Sequence, residues 1–219
     1  FMQKTIRPLG ALKFYSSLNG VKTPIENIRV SEVNIFMRFA YKEKFVSGEF
    51  ERMSLGTKYP TIQLQYAYGI PNLLNSDYEY HKVKLNVKDK IRIGALGMLD
   101  AMIEGGKIWG ALPFPLLQLH NGNETYAYDI SAFNLMNYYE FVSDEYATVS
   151  LTHHFNGFFL NKIPIMNELK WREVVSVKAV TGKLNDKSYD YMSFPLTLSD
   201  LEKPYYEAGI GIENIFQLL

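Results

Sequence analysis

The chain contains no cysteine, which excludes a disulfide framework and any cysteine metal site. It carries no net charge, with 23 Lys and Arg against 23 Asp and Glu. Nucleic-acid binders show a basic excess or patch, so this balance argues against one. No run of about 18 apolar residues occurs, which excludes a transmembrane helix. A membrane barrel stays open, because a barrel strand needs only about 9–11 residues and alternates apolar with polar. Neither a Walker-type phosphate loop nor a GxGxxG turn is present, and neither GxSxG nor HExxH occurs. Aromatic residues are plentiful instead, at 15% of the chain with 16 Tyr and 14 Phe. Tyrosine suits a membrane–water interface, where the ring is apolar and the hydroxyl stays wet. It suits ordinary sheets as well.

The dominant period is two. Val33, Ile35, Met37, Phe39 and Tyr41 share one face of a predicted strand, with Asn34 and Arg38 on the other. Ile62, Leu64, Tyr66 and Tyr68 alternate with Thr61, Gln63 and Gln65. Over residues 82–93, Lys82, Lys84, Asn86, Lys88, Lys90 and Arg92 oppose Val83, Leu85, Val87, Ile91 and Ile93, with Asp89 the one break. Residues 147–152, 175–179 and 206–212 continue the alternation, and another strand is predicted within 98–109. Weaker strands are predicted near 49–57 and 133–141. Several segments are long enough to span the apolar thickness of a membrane when tilted. A large soluble sandwich or barrel gives the same alternation. Helix is sparse: residues 165–172 form a short one after Pro164, and 198–201 a single turn capped by Ser199. Longer connections are expected at 111–131, 156–169 and 185–204. The whole of 1–219 reads as one region without repeat or linker.

Several side chains suggest chemistry and each has a plainer explanation. His153 and His154 are adjacent, so on a strand they face opposite sides and cannot easily share a metal. Glu140, Asp144 and Glu145 could supply paired carboxylates, yet a charged turn accounts for them. The basic face from Lys82 to Arg92 is a lumen lining, an anion surface for groups such as lipopolysaccharide phosphates, or a solvated sheet face. Gly105-Gly106 marks a bulge or a close approach. Asn123-Glu124-Thr125 is a glycosylation triplet of a kind frequent by chance. No residue is assigned a catalytic, cofactor-binding or metal-binding role.

Some stretches are more specific than their composition. They are the run from Phe39 to Arg52, the run from Asn134 to Glu145, His153-His154-Phe155-Asn156-Gly157, Asn161-Lys162-Ile163-Pro164, the run from Leu169 to Val174, and the run from Pro204 to Ile215. Together they resemble the C-terminal barrel of a large Bacteroidota outer-membrane family of unknown function. Its members pair an N-terminal carboxypeptidase-regulatory-like sandwich with a barrel similar to the BamA/surface-antigen superfamily. The resemblance implies an all-β fold, an antiparallel transmembrane β-barrel of BamA-like type with at most short helices in loops, and a bacterial outer-membrane location. It also implies several hundred residues upstream and a closing aromatic strand beyond Ile215. By the same reasoning the protein is a non-enzymatic barrel assisting assembly, insertion or transport of outer-membrane proteins, with no cofactor. Its expected partners are outer-membrane lipid or lipopolysaccharide and other outer-membrane proteins, with no nucleic acid. A structural subunit of a larger envelope complex is the alternative, and a loop-borne enzyme a more distant one. Residues 111–131 are expected as a long outer loop. Simple up–down counting then puts residues 185–204 at the opposite, periplasmic end.

Overall fold

A computed structural model describes residues 1–7, 14–18, 21–49, 51–124, 129–188 and 194–215. Eight strands form one sheet in the order β1-β4-β7-β8-β9-β12-β13-β14. They are β1 (Met2–Ile6), β4 (Ile28–Ala40), β7 (Thr61–Gly69), β8 (Tyr80–Arg92), β9 (Met98–Trp109), β12 (Glu145–His154), β13 (Arg172–Lys183) and β14 (Tyr205–Glu213). Every neighbouring pair is antiparallel. Three small two-stranded sheets sit in the connections: β2 (Phe14–Leu18) with β3 (Val21–Ile25), β5 (Lys44–Ser47) with β6 (Arg52–Gly56), and β10 (Gln118–Leu119) with β11 (Val142–Ser143). A short α-helix, α1, is Pro164–Glu168.

The all-β reading and the long alternating strands therefore hold. Among the described residues the sheet is open, since β1 and β14 each have one partner. Successive main strands run in opposite directions, so their connections fall at two ends. At the upper end lie 7–27, 70–79, 110–144 and 184–204. At the lower end lie 41–60, 93–97 and 155–171. The 93–97 turn is tight: Gly97 has φ +97°, and a Cβ there would sit 2.0 Å from the His154 carbonyl oxygen.

Three predictions need correcting. Residues 133–141 do not cross the sheet. Their chain turns at Tyr139, with φ 56°, and the Asn134 and Leu135 N–H groups donate to the Glu207 carboxylate rather than to a strand. Removing that strand from the count puts 110–144 and 184–204 at the same end. The predicted turn at 198–201 lies earlier, with Leu198 N–H bonded to the Pro195 carbonyl. Ser199 caps nothing and bridges to Phe141 instead. The weaker strand at 49–57 shrinks to β6.

The register sorts side chains onto two faces. Val87, Ile103 and Val149 lie level on one face, with Leu64 and Leu85 one step toward the upper end. Ile35 (49%), Phe39 (58%), Leu85 (44%), Ile103 (55%) and Ile210 (89%) on that face are exposed. The opposite face is polar, and the connections of the upper end fold over it. Ile28, Val30, Tyr80 and Ile108 lie on this covered face near the upper end. They form the main buried cluster with Leu112, Phe114, Leu117, Val142 and Leu198.

Candidate functional site

The covered face is built as a ladder of paired polar side chains. Near the upper end the Tyr80 hydroxyl donates to Glu32 at 2.5 Å. The Asn34 amide also donates to Glu32, and the Lys4 ammonium stands 3.8 Å away. Gly69 faces Tyr80 across the ladder, and a Cβ there would lie 2.3 Å from the ring. A step further, Glu104 accepts from Lys84 at 2.8 Å, Asn86 at 2.9 Å and Tyr146 at 3.0 Å. Here Gly106 opposes Tyr146, with the ring 2.5 Å from a notional Cβ. The two Gly–Tyr pairs use one device: a missing side chain on one strand houses the ring of the next. Toward the lower end Lys90 pairs with Asp100 at 3.2 Å, and His154 meets Glu213 at 2.9 Å. Charges withdrawn from water are matched by charge-assisted hydrogen bonds.

The connection 110–144 is pinned to this face. Lys178 of β13 and Glu207 of β14 stand opposite each other in register, and both are buried. The Lys178 ammonium donates to the carbonyls of Ile130 (2.9 Å) and Ala132 (2.5 Å). Glu207 accepts from the backbone N–H groups of Asn134 (2.8 Å) and Leu135 (3.0 Å). One cross-strand pair thus grips four backbone positions between Ile130 and Leu135, satisfying both charges and the loop's own polar groups. Phe133 and Met136 then pack with Val180 and Leu201. Above them His120 shares a 2.7 Å hydrogen bond with Ser143, both buried. Burial pushes the His120 pKa down to about 4, with a smaller upward effect from Glu104 and a smaller downward one from Lys84. Burial raises the Asp144 carboxyl above its ordinary range. At the lower end, hydrogen bonds from Arg38 and Ser54 hold Glu43 down at about 2.

Two cavities lie between the connection and the sheet. The larger, about 370 Å³, is bordered by Phe36, Gln63, Asn86, Glu104 and His120. The other, about 280 Å³, is bordered by Tyr59, Asp100, Thr152 and His154. They share Lys88, Met102 and Ser131, so they form one polar groove along the covered face.

The residues singled out from sequence fall in distinct places. His153 and His154 point to opposite faces: His153 bonds the Leu96 carbonyl and His154 bonds Glu213. Among the described residues no group of three or more His, Cys, Asp or Glu is placed to hold a metal. Asp144 and Glu145 do not converge, since Glu145 pairs with Lys107 at 2.7 Å and Asp144 accepts from Asn185 N–H. Glu140 accepts from Asn137 in a turn. Of the Lys82 to Arg92 face, Lys84, Asn86, Lys88 and Lys90 line the groove, with Lys84 and Lys90 already paired. Gly105 and Gly106 keep regular register, so the close approach is real and the bulge is not. Asn123 ties the loop to Asp129 and Asn134, while Thr125 and residues 216–219 lie outside the described set. Sequence reasoning missed Glu104, Lys178 and Glu207 as a group. Their signal was a charge on the wet side of a strand, and only the register shows what each charge meets.

The sheet is antiparallel, with an exposed apolar face and a loop clasped to its polar face, and its class is all-β. The chain belongs to the family of unknown function DUF5686, whose C-terminal domain matches residues 15–196. No curated protein matches it.

Proposed function

We propose that this chain forms wall of an outer-membrane β-barrel whose polar face lines the lumen, and that the barrel assists assembly, insertion or transport of outer-membrane proteins. One observation carries the membrane reading. The sheet is inverted relative to a soluble protein, with its broad apolar face outward and most of its ion pairs on the covered face, the exposed Lys107–Glu145 pair standing at the upper rim of the outward face. A contiguous exposed apolar surface this broad marks an interaction or membrane surface. Aromatic residues sit at both borders of the belt, Trp109 and Tyr206 above, Tyr41, Tyr59 and Phe159 below, as lipid interfaces favour. The long connections 110–144 and 184–204 share the upper end, which suits the external side of a barrel.

The assembly role would act through a strand edge. A strand edge offers unpaired N–H and C=O groups to an incoming strand. Photo-crosslinkers placed along β14 should trap client strands during outer-membrane protein synthesis. Unchanged outer-membrane protein levels on depletion would end this assembly reading. The clasped loop favours a second reading, a plugged structural subunit of an envelope complex. Purification in mild detergent that yields stable partners and no client intermediates would select it.

A further inference from the structure

We infer that the larger cavity on the covered face is a binding site for a neutral polyhydroxylated solute, a mono- or disaccharide. Its volume of about 370 Å³ falls in the range of roughly 300–1,000 Å³ common to small-molecule sites. The lining charges are largely spent on each other: Lys84 is bound to Glu104, and Asp129 accepts from Ser131 N–H. The lining amides are not. Gln63 and Asn121 border the cavity, and among the described residues neither side chain has a hydrogen-bond partner. Asn86 is buried and spends its amide N–H on Glu104, while its Oδ1 meets no partner. Amides both donate and accept, which is what a hydroxyl needs in return. A phosphate or carboxylate ligand calls instead for guanidinium forks or clustered ammonium groups. This cavity has no arginine, and Lys88 is its one cation without an ion pair.

Phe36 supplies the second half of the argument. It sits on the polar side of β4, opposite Gln65, and is 61% exposed. A large apolar ring on a wet face is costly to leave bare, since its apolar surface stays in water. Facing the cavity beside free amides, it offers a flat platform for the C–H face of a sugar ring. This inference concerns the covered face alone and does not depend on what the outer face meets.

The test uses the protein purified in a zwitterionic detergent without a sugar headgroup. Saturation-transfer NMR and calorimetric titration are run with glucose, galactose, N-acetylglucosamine and maltose, and with inorganic phosphate and citrate as anionic probes. At least one sugar should bind. Phe36→Ala should weaken it roughly tenfold, and Gln63→Ala should weaken it several-fold. Phe39→Ala, on the opposite face of the same strand, should leave binding unchanged, and circular dichroism checks that each variant keeps its sheet. The inference is overturned if none of the sugars binds, if sugar binding is indifferent to Phe36→Ala, or if only phosphate or citrate binds and Lys88→Ala abolishes it.

Discussion

The two faces of the sheet obey opposite rules. On one, Ile35, Leu85, Ile103 and Ile210 are bare. On the other, Glu32, Glu104, Lys178 and Glu207 are wrapped in hydrogen bonds. A soluble protein gains its stability by hiding the first set and wetting the second. Here the polar face holds the connections in place, and the apolar face stays bare. The contrast teaches that alternation tells which residues share a face but not which face is inside.

Substitutions on matched rows should break this symmetry. The largest effect is expected at the centre of the apolar belt, where Val87, Ile103 and Val149 lie level. Ile103→Lys should cost about 2–4 kcal/mol for the protein folded in lipid, the penalty for a cation near the bilayer midplane. Denaturant unfolding from liposomes measures it, and a cost near zero would mean that face is wet. The next effect is acid sensitivity confined to the covered face. Because burial lowers His120 to about 4, the unfolded chain takes up a proton near pH 6.5 while the folded chain does not. Stability from this group is complete above about pH 6.5 and is lost as pH falls toward 4, to a limit of about 3 kcal/mol. Unfolding across pH 7 to 4 should show this slope in the wild type and a shallower one in His120→Asn.

Gly106→Val should cost about 1–3 kcal/mol, because the new side chain occupies the space of the Tyr146 ring. The double variant Gly106→Val with Tyr146→Ala should recover part of it, and thermal unfolding of the set reads the coupling. The smallest effect is expected from Ser150→Lys, on the polar face next to Met102. It borders the groove, where a cation can reach water, and should change stability by less than about 0.5 kcal/mol. Its near-neutrality beside the cost of Ile103→Lys is what sharpens the comparison.

Much of this was legible in the chain itself. Long alternation in 33–40, 61–68 and 82–92, broken only at positions such as Phe36 and Asp89, is a local property set by the two-residue repeat of a strand, so those strands and their faces could be read directly. Residues 133–141 misled because their apolar spacing imitates a strand, while the competing partner, Glu207, lies far along the chain. One false strand then reversed the end assigned to 184–204. β1 went unnoticed because Met2–Ile6 is short and its pairing with β4 is not a local feature. The Lys178–Glu207 clasp and the Glu104 network escaped for the same reason: each joins residues by register, and register across a sheet is set by turns and packing together. The Gly–Tyr pairs were half visible, as glycine at 105–106 announced a close approach without naming the ring that makes it.

The central claim is that the apolar face meets lipid while the opposite face meets water and the chain's own loops. A cysteine-free chain allows one spin label at a time without background. Labels at Ile103→Cys and Val149→Cys on one face, and at Thr148→Cys and Ser150→Cys on the other, can be compared in liposomes by collision with oxygen and with a water-soluble nickel chelate. The account predicts oxygen-dominated relaxation at 103 and 149 and chelate-dominated or shielded spectra at 148 and 150. Chelate access at 103 and 149 equal to that at 150 would contradict it.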